Sequence, residues 1–533
     1  MFKVLKMFCG LILAASGSLG ADSLEDLGMQ TIRPEAVRAH VEFLADDLLE
    51  GRGTGTRGFE LAAKYIAAQF EAMGLEPAGV GGTFFQSIRF RSAVAVPEET
   101  TLKLVRNGKE ETLASGLDYY SGGNLRQTDS EVAGQIVYVR YGITAPDFGI
   151  DDYKGLDVRG KIVAWMQGAP PSLQSAERAH YSNAVNKRYN AAAHGAIGAI
   201  GVWSVDGEKI APFSSGRRQS GLPTMAWLDM SGRPNGPEIR TVAILSEAGT
   251  KKLFGGSISP DEPGAVPASI SIRTTSRHAE VTSPNVAAVL RGSDPMLRDE
   301  YVVCSAHADH LGVGQPVNGD SIYNGAMDNA TGTAALIEIA RAVARLGQRP
   351  KRSIIFLALT GEEKGLLGSD YFAEYPTVPR SQIVANVNID PLNALFNFRD
   401  VVALGGEHSS LGAVAARAAS EMALEVTPDP APEQQYFVRS DHYSFVKRGI
   451  PAIHSFVGTK ATDPSVDAGK ITAEFLRSRY HQPNDDLSQS FDWQAAAKST
   501  RFDFLLVYFI AQDAARPRWN DGDFFGKTFG NGL

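Results

Sequence analysis

His307, Asp309, Asp328, Glu362, Glu363 and Asp390 are the residues of this chain whose types and spacing could do chemistry together. His307 and Asp309 follow an apolar, β-branched run, Tyr301 to Ala306, and Asp328 sits in a glycine-bracketed loop just before a helical pattern that starts at Thr333. Glu362 and Glu363 end the run S-I-I-F-L-A-L-T-G-E-E, and Asp390 ends V-A-N-V-N-I-D. Three separate strand ends thus terminate in carboxylate or imidazole, and in open α/β sheets ligands gather outside the carboxyl ends of strands. One crevice should hold all six. Carboxylates packed that closely repel and take up protons unless a multivalent cation lies among them. Nitrogen and oxygen donors without thiolate suit zinc, with cobalt or manganese as substitutes.

The elements that must position these residues can be read from periodicity. Strand candidates at Asn285 to Leu290, Tyr301 to Ala306, Ser353 to Leu359, Val384 to Ile389 and Pro451 to Phe456 alternate with helical stretches at Thr333 to Leu346 and Ser410 to Met422. This alternation predicts an α/β fold with a mixed, largely parallel sheet flanked by helices. Val37, Val41, Leu44 and Leu48 mark one N-terminal helix face, Leu61, Tyr65, Ile66, Phe70 and Met73 a second, and Trp493 to Asp513 a C-terminal helix. Between the first two lies E-G-R-G-T-G-T-R-G, Glu50 to Gly58, which lacks the preceding strand and the lysine of a phosphate loop and reads as a structural turn at the rim of a cleft.

From 118 to 257 the texture changes to short strands with frequent glycines. A single amphipathic helix, Asn186 to His194, is expected there, with no cluster of catalytic side chains, and a Pro/Gly/Ser-rich link, Ser257 to Pro267, closes the stretch. The segments G-L-D-V-R-G-K-I-V and A-A-A-H-G-A-I-G-A-I resemble the protease-associated domain, a small β-rich insert. The expected division is a signal peptide over 1–20, an N-terminal part of the catalytic domain over 21–117, this insert over 118–257, and the catalytic domain over 258–533.

Composition limits the partners. With 533 residues, 43% hydrophobic and 21% charged, the chain can bury a large core. A net charge of -8 without a basic run argues against nucleic acid. Lys3 and Lys6, an apolar run from Met7 to Ala15 and small residues up to Gly20 read as a secretory signal, too short for a spanning anchor. The expected destination is the periplasm or the medium. Cys9 would leave with the signal, so Cys304 remains as a core residue without a disulfide partner. No G-x-S-x-G elbow and no H-E-x-x-H occurs.

Five segments in order, H-A-D-H-L-G, G-A-M-D-N-A-T-G, T-G-E-E-K-G-L-L-G-S, N-V-N-I-D and R-Y-H-Q-P-N-D-D, resemble the motifs of the co-catalytic di-zinc peptidases of metallopeptidase family twenty-eight. The resemblance implies two zinc ions. His307 and Asp390 would bind one, Glu363 and His481 the other, and Asp328 would bridge them. Three carboxylate ligands and a bridging hydroxide would then balance the charge of two divalent ions. Glu362 would be the general base, free of the metal because adjacent residues can diverge in the irregular backbone that Gly361 supplies. Asp309 would orient His307 through its carboxylate, and Tyr480 would hold the tetrahedral oxyanion. The implied activity is a secreted aminopeptidase acting on peptides, with no nucleic acid and no stable membrane anchor; nothing in the sequence assigns an oligomeric state. Two alternatives accompany it. One is a carboxypeptidase of the same family using Arg439, Arg399 or Arg352 to grip a terminal carboxylate, and the other a metal-free receptor-like binding module. His310, at H-x-x-H spacing from His307, is not expected to be a ligand, because that spacing serves a helix and this is a strand exit.

Overall fold

The structure, a computed structural model, describes residues 23–530 apart from 211, 241, 261 and 391–393. The proposed signal peptide lies outside these residues. Three helices open the described chain: α1 (Leu24–Thr31), α2 (Pro34–Leu44) and α3 (Arg57–Ala72). Pro34 starts α2 where a missing N–H costs nothing. The Thr56 hydroxyl caps α3 by accepting from the Phe59 N–H at 3.4 Å. The faces expected from periodicity are buried at Val37, Val41 and Leu44 on α2 and at Ile66 and Phe70 on α3, with Tyr65 and Met73 partly buried, whereas Leu61 on α3 is exposed. Leu48 differs: the chain leaves the helix at Leu44, and this side chain is exposed in the short 3-10 segment that follows.

The main sheet contains β1 (Phe85–Ala95), β2 (Gly264–Leu290), β3 (Tyr301–His307), β4 (Ser353–Leu359), β5 (Ile383–Ile389), β6 (Asp400–Leu404) and β7 (Ala452–Val457). They lie side by side in the order β1-β2-β4-β3-β5-β7-β6. The four central strands β4, β3, β5 and β7 are parallel; β2 and β6 run against them, and β1, antiparallel to β2, runs in their direction, as the mixed, largely parallel reading expected. β3, β4 and β5 are buried at every position, which is why they read as continuous apolar runs. Helices cover both faces: α2, α3, α4 (Thr331–Ala344), α6 (Leu411–Glu421) and α8 (Trp493–Gln512) on one, α5 (Leu367–Glu374) and α7 (His442–Val446) on the other. Cys304 is a fully buried member of the first core. Among the described residues no helix is long and apolar enough to cross a membrane.

A second sheet is built from Thr101–Arg106, Lys109–Thr112, Tyr119–Tyr120, Asp129–Tyr138, Ile162–Met166, Gly198–Val202, Val242–Leu245 and the first half of β2. It begins before the change of texture at 118 and ends after 257. The cause is β2. Residues 264–275 pair within the second sheet, 276–286 pair with β1 and 286–290 with β4, so the strand expected at Asn285 to Leu290 is the end of a much longer one. Besides the expected helix, found at Ala184–Ala193, the region holds Ser175–Ser182, Val205–Ile210, Phe213–Gln219 and Glu247–Phe254. His194 packs flat on Tyr153 with ring centroids 4.0 Å apart.

Side chains tie the region from 101 to 275 to helices α7 and α5. His180 Nδ1 lies 2.6 Å from the Tyr443 hydroxyl on α7, and Trp227 donates its indole N–H to Asp370 on α5 at 3.0 Å. The C-terminal segment is held by His408 and Asp523, 2.7 Å apart and both largely buried. Burial alone would lower the His408 pKa, but Asp523 and Glu407 raise it; burial would raise Asp523, but His408 lowers it. A raised imidazole stabilises below its unfolded pKa of about 6.5, and that contribution is lost as pH climbs through the folded value. A lowered carboxylate stabilises above about 3.9 and loses its contribution as pH falls. The melting-temperature gap between the protein and His408→Gln should therefore be widest between about pH 4 and 6.5 and narrow as pH rises further. A gap independent of pH would refute the ion pair.

Candidate metal centre

The crevice expected from the strand ends exists. His307 is the last residue of β3, Glu362 and Glu363 follow β4 by three and four positions, and Asp390 directly follows β5. One possible ligand atom from each of His307, Asp328 and Glu363 falls within 4.8 Å of the others. Asp328 divides its two oxygens. Oδ1 faces His307 Nε2 at 3.3 Å, and Oδ2 faces His481 Nε2 at 3.2 Å. Asp390 Oδ1 completes the first group, 3.3 Å from His307 Nε2, and Glu363 Oε2 the second, 3.2 Å from His481 Nε2.

Those four separations decide what the groups fit. A charged N–H···O bond closes to about 2.7–2.9 Å. Two ligands of one tetrahedral zinc, each bonded at about 2.0 Å, stand about 3.3 Å apart. The observed spacing is that of ligand pairs, in two sets sharing Asp328. The orphaned buried atoms Asp328 Oδ2 and Glu363 Oε1 also lack any hydrogen-bond partner. The nitrogen and oxygen donor set therefore fits zinc. Without a cation, the carboxylates hold protons on the imidazoles. Burial opposes a charge on His481, but Glu363 and Asp328 push its pKa up to about 10.

The adjacent glutamates are driven apart. Burial pushes Glu362 well above the usual carboxylate range, with Glu363, Asp441 and Asp390 adding repulsion against the pull of His307. Burial would do the same to Glu363, but His481 and His310 hold it low. Gly361 between β4 and this pair has φ +69°, a left-handed turn that a side chain would strain. His481 itself sits at φ 58°, uncommon for a residue with a Cβ, with Tyr480 stacked on its ring at 3.8 Å.

Asp309 differs from expectation in one respect. Its main-chain carbonyl, not its carboxylate, accepts from His307 Nδ1, at 3.1 Å. This sets the tautomer that presents Nε2 to the crevice. The carboxylate instead accepts the Glu362 N–H at 3.1 Å and the Thr54 hydroxyl at 2.9 Å. Two positions beyond the strand end, that side chain points across to the exit loop of β4 rather than back to the ring.

Several supporting residues were not assigned from sequence. Arg52, in the glycine-rich turn, is buried and donates to the carbonyls of Leu44, Ala308, Asn324 and Gly325. Asp485 accepts the N–H groups of Met327 and Asp328 at 2.9 and 3.0 Å. Ser440 donates to Asp390 Oδ2 at 2.7 Å. The R-Y-H-Q-P-N-D-D segment contains Asp485, whereas Ser440 lies outside the five segments, and a hydrogen-bonding role leaves no spacing signal. Of the arginines weighed for a carboxylate grip, Arg352 opens β4 at the opposite end of the sheet, bound to Glu300 at 2.7 Å. Arg399 donates to the Ala461 carbonyl at 3.1 Å. Arg439 alone stands near Tyr480 and Glu362.

With this geometry in view, comparison with known proteins is informative. Residues 285–506 match Peptidase family M28. The match covers the part of the chain that forms the crevice. A Pyrenophora tritici-repentis (strain Pt-1C-BFP) protein named probable zinc metalloprotease is 27% identical over 270 residues, 45% of this chain and 53% of that protein. The Mus musculus aminopeptidase NAALADL1 is 33% identical over 150 residues, 27% of this chain and 18% of that protein. The chain spans about half the length of the first of these curated relatives and less of the second. Among solved structures, the aminopeptidase from Aneurinibacillus sp. strain AM-1 has the same fold, with a TM-score of 0.55 and 19% identity over 92% of this chain and 97% of that one. The matched segment, 285–506, thus carries all of the clustered groups from His307 to His481.

Proposed function

We propose that this chain is a secreted metallo-aminopeptidase that hydrolyses N-terminal residues from peptides at a two-zinc centre. The observation that carries the reading is the division of Asp328 between two histidine–carboxylate pairs, with all four separations at 3.2–3.3 Å. His307, Asp390 and Asp328 would hold one zinc, and Glu363, His481 and Asp328 the other. Zinc, when bound, polarises the scissile carbonyl and acidifies the attacking water.

The remaining chemistry belongs to the chain. Glu362 takes the proton from the water as its oxygen bonds to the carbonyl carbon, then passes that proton to the amine as the C–N bond breaks. The split between the two glutamates supports this assignment: the one with a raised pKa can carry a proton while its neighbour stays ionised. Asp309 fixes Glu362 through its main-chain N–H. The Tyr480 hydroxyl is proposed to donate to the tetrahedral oxyanion. The β-rich region from 101 to 275 would act as a protease-associated insert, shaping access through the contacts of His180 and Trp227.

Arg439 keeps a carboxypeptidase reading open, since it lies beside Tyr480 at the site. A substrate panel separates the two. The purified mature protein should contain nearly two zinc ions and cleave aminoacyl substrates and free-N-terminal peptides, while N-acetylated peptides should resist. Cleavage that instead requires a free carboxylate would replace the aminopeptidase reading. Metal-free protein that stays inert after zinc is restored would leave a binding module.

A further inference from the structure

His310 is fully buried beside the metal centre, yet the proposed mechanism gives it no role. Its Nδ1 lies 2.7 Å from Glu363 Oε1 and 3.9 Å from Asp328 Oδ2, and its ring stands 5.8 Å from that of His481. The protein makes room for it. Gly325 at φ +59° packs so closely that a Cβ there would come within 2.4 Å of His310 Cγ. The His310 main-chain N–H is tied to the Arg52 carbonyl at 3.2 Å. A ring confined this tightly has one arrangement rather than several.

We propose that His310 is a positioning residue for the second zinc, donating from Nδ1 to Glu363 Oε1 so that Oε2 is turned toward the metal. The inference rests on the two-zinc reading and concerns only its second half. Distances separate this role from direct ligation. Two ligands of one zinc stand about 3.3 Å apart, as the other four pairs do, whereas 2.7 Å is the length of a charged N–H···O bond. Neither atom currently meets hydrogen-bond alignment. A rotation of the carboxylate about its last side-chain torsion, which is soft, brings it into line. The arrangement is asymmetric: Oε1 faces His310 at 2.7 Å while Oε2 faces His481 at 3.2 Å. The first zinc has its own counterpart in Ser440, which holds Asp390 Oδ2.

The test is zinc titration of metal-free protein, following heat and stoichiometry, with His310→Ala and His310→Asn beside the wild type. In His310→Ala the first zinc should bind as in the wild type and the second roughly ten- to a hundred-fold more weakly. His310→Asn, whose side-chain amide can donate from near the Nδ1 position, should recover part of the loss. Both variants taking the second zinc as the wild type does would overturn the inference. A wild type that binds no zinc would fail the centre itself, a result distinct from any effect of these variants. If neither variant folds, histidine-labelled wild-type protein decides by nitrogen-15 NMR. A proton retained on His310 Nδ1 after zinc loading supports the positioning role, and a bare Nδ1 overturns it in favour of ligation.

Discussion

Glu362→Gln should lower kcat by about three to four orders of magnitude while leaving both zinc ions bound and the melting temperature close to that of the parent, a loss near 4–5 kcal/mol of transition-state stabilisation. The substitution keeps size and shape. The main-chain N–H that anchors this residue to Asp309 is untouched. What disappears is an oxygen able to accept a proton from water and release it to an amine. KM should move little, since substrate binding does not use that proton. Glu363→Gln makes the contrasting case: there a metal-facing carboxylate is lost, so zinc content should fall together with activity. Steady-state kinetics with zinc analysis on the two variants checks both. A Glu362→Gln protein within a few-fold of the parent would remove this residue from the mechanism.

The second large effect is expected far from any reacting atom. Arg52→Met should destabilise the protein by about 3–5 kcal/mol and weaken zinc binding. The guanidinium is 1% exposed and donates at 2.9 Å to Ala308, 2.6 Å to Asn324 and 3.0 Å to Gly325. Ala308 lies between His307 and Asp309, and Gly325 three residues before Asp328. Methionine fills similar space but leaves those carbonyls buried without donors. Burial lowers the arginine pKa to about 10, which still leaves it charged at neutral pH beneath Asp309, Asp485, Asp328 and Glu363. Arg52→Lys should rescue little, because an ammonium cannot reach carbonyls spread in a fork. Urea denaturation and zinc analysis of the two variants provide the measurement. Stability and metal content equal to the parent's would show that the clamp is dispensable.

The sheet and its ligand-bearing ends were legible because β3, β4 and β5 are long apolar runs that stop at polar residues. Gly361 was legible because a glycine directly before two adjacent glutamates at a strand exit supplies irregular backbone in which their side chains can diverge. The Arg52 clamp was not: arginine among glycines is the usual composition of a solvated loop, and only the return of Ala308 and Gly325 to that turn reveals its partners. The extent of the second sheet was hidden in β2, whose middle, Ser276 to Pro284, lacks an apolar pattern and is defined by pairing with β1. The Asp309 carboxylate was misdirected for a similar reason. The resemblance implied that its carboxylate orients His307, but the choice between carbonyl and carboxylate depends on where the neighbouring exit loop lies.

β2 also limits how the molecule can deform. A strand of 27 residues, roughly 90 Å if drawn straight, belongs to two sheets at once. Each half is sewn to its neighbours by ladder bonds, so the pair behaves as a beam clamped at both ends rather than two bodies on a flexible tether. Swinging the inserted region away from the crevice would require breaking those ladders, not rotating a linker. The distance between the second sheet and the crevice is therefore nearly fixed, and on the proposed function a substrate would have to fit that space as it stands.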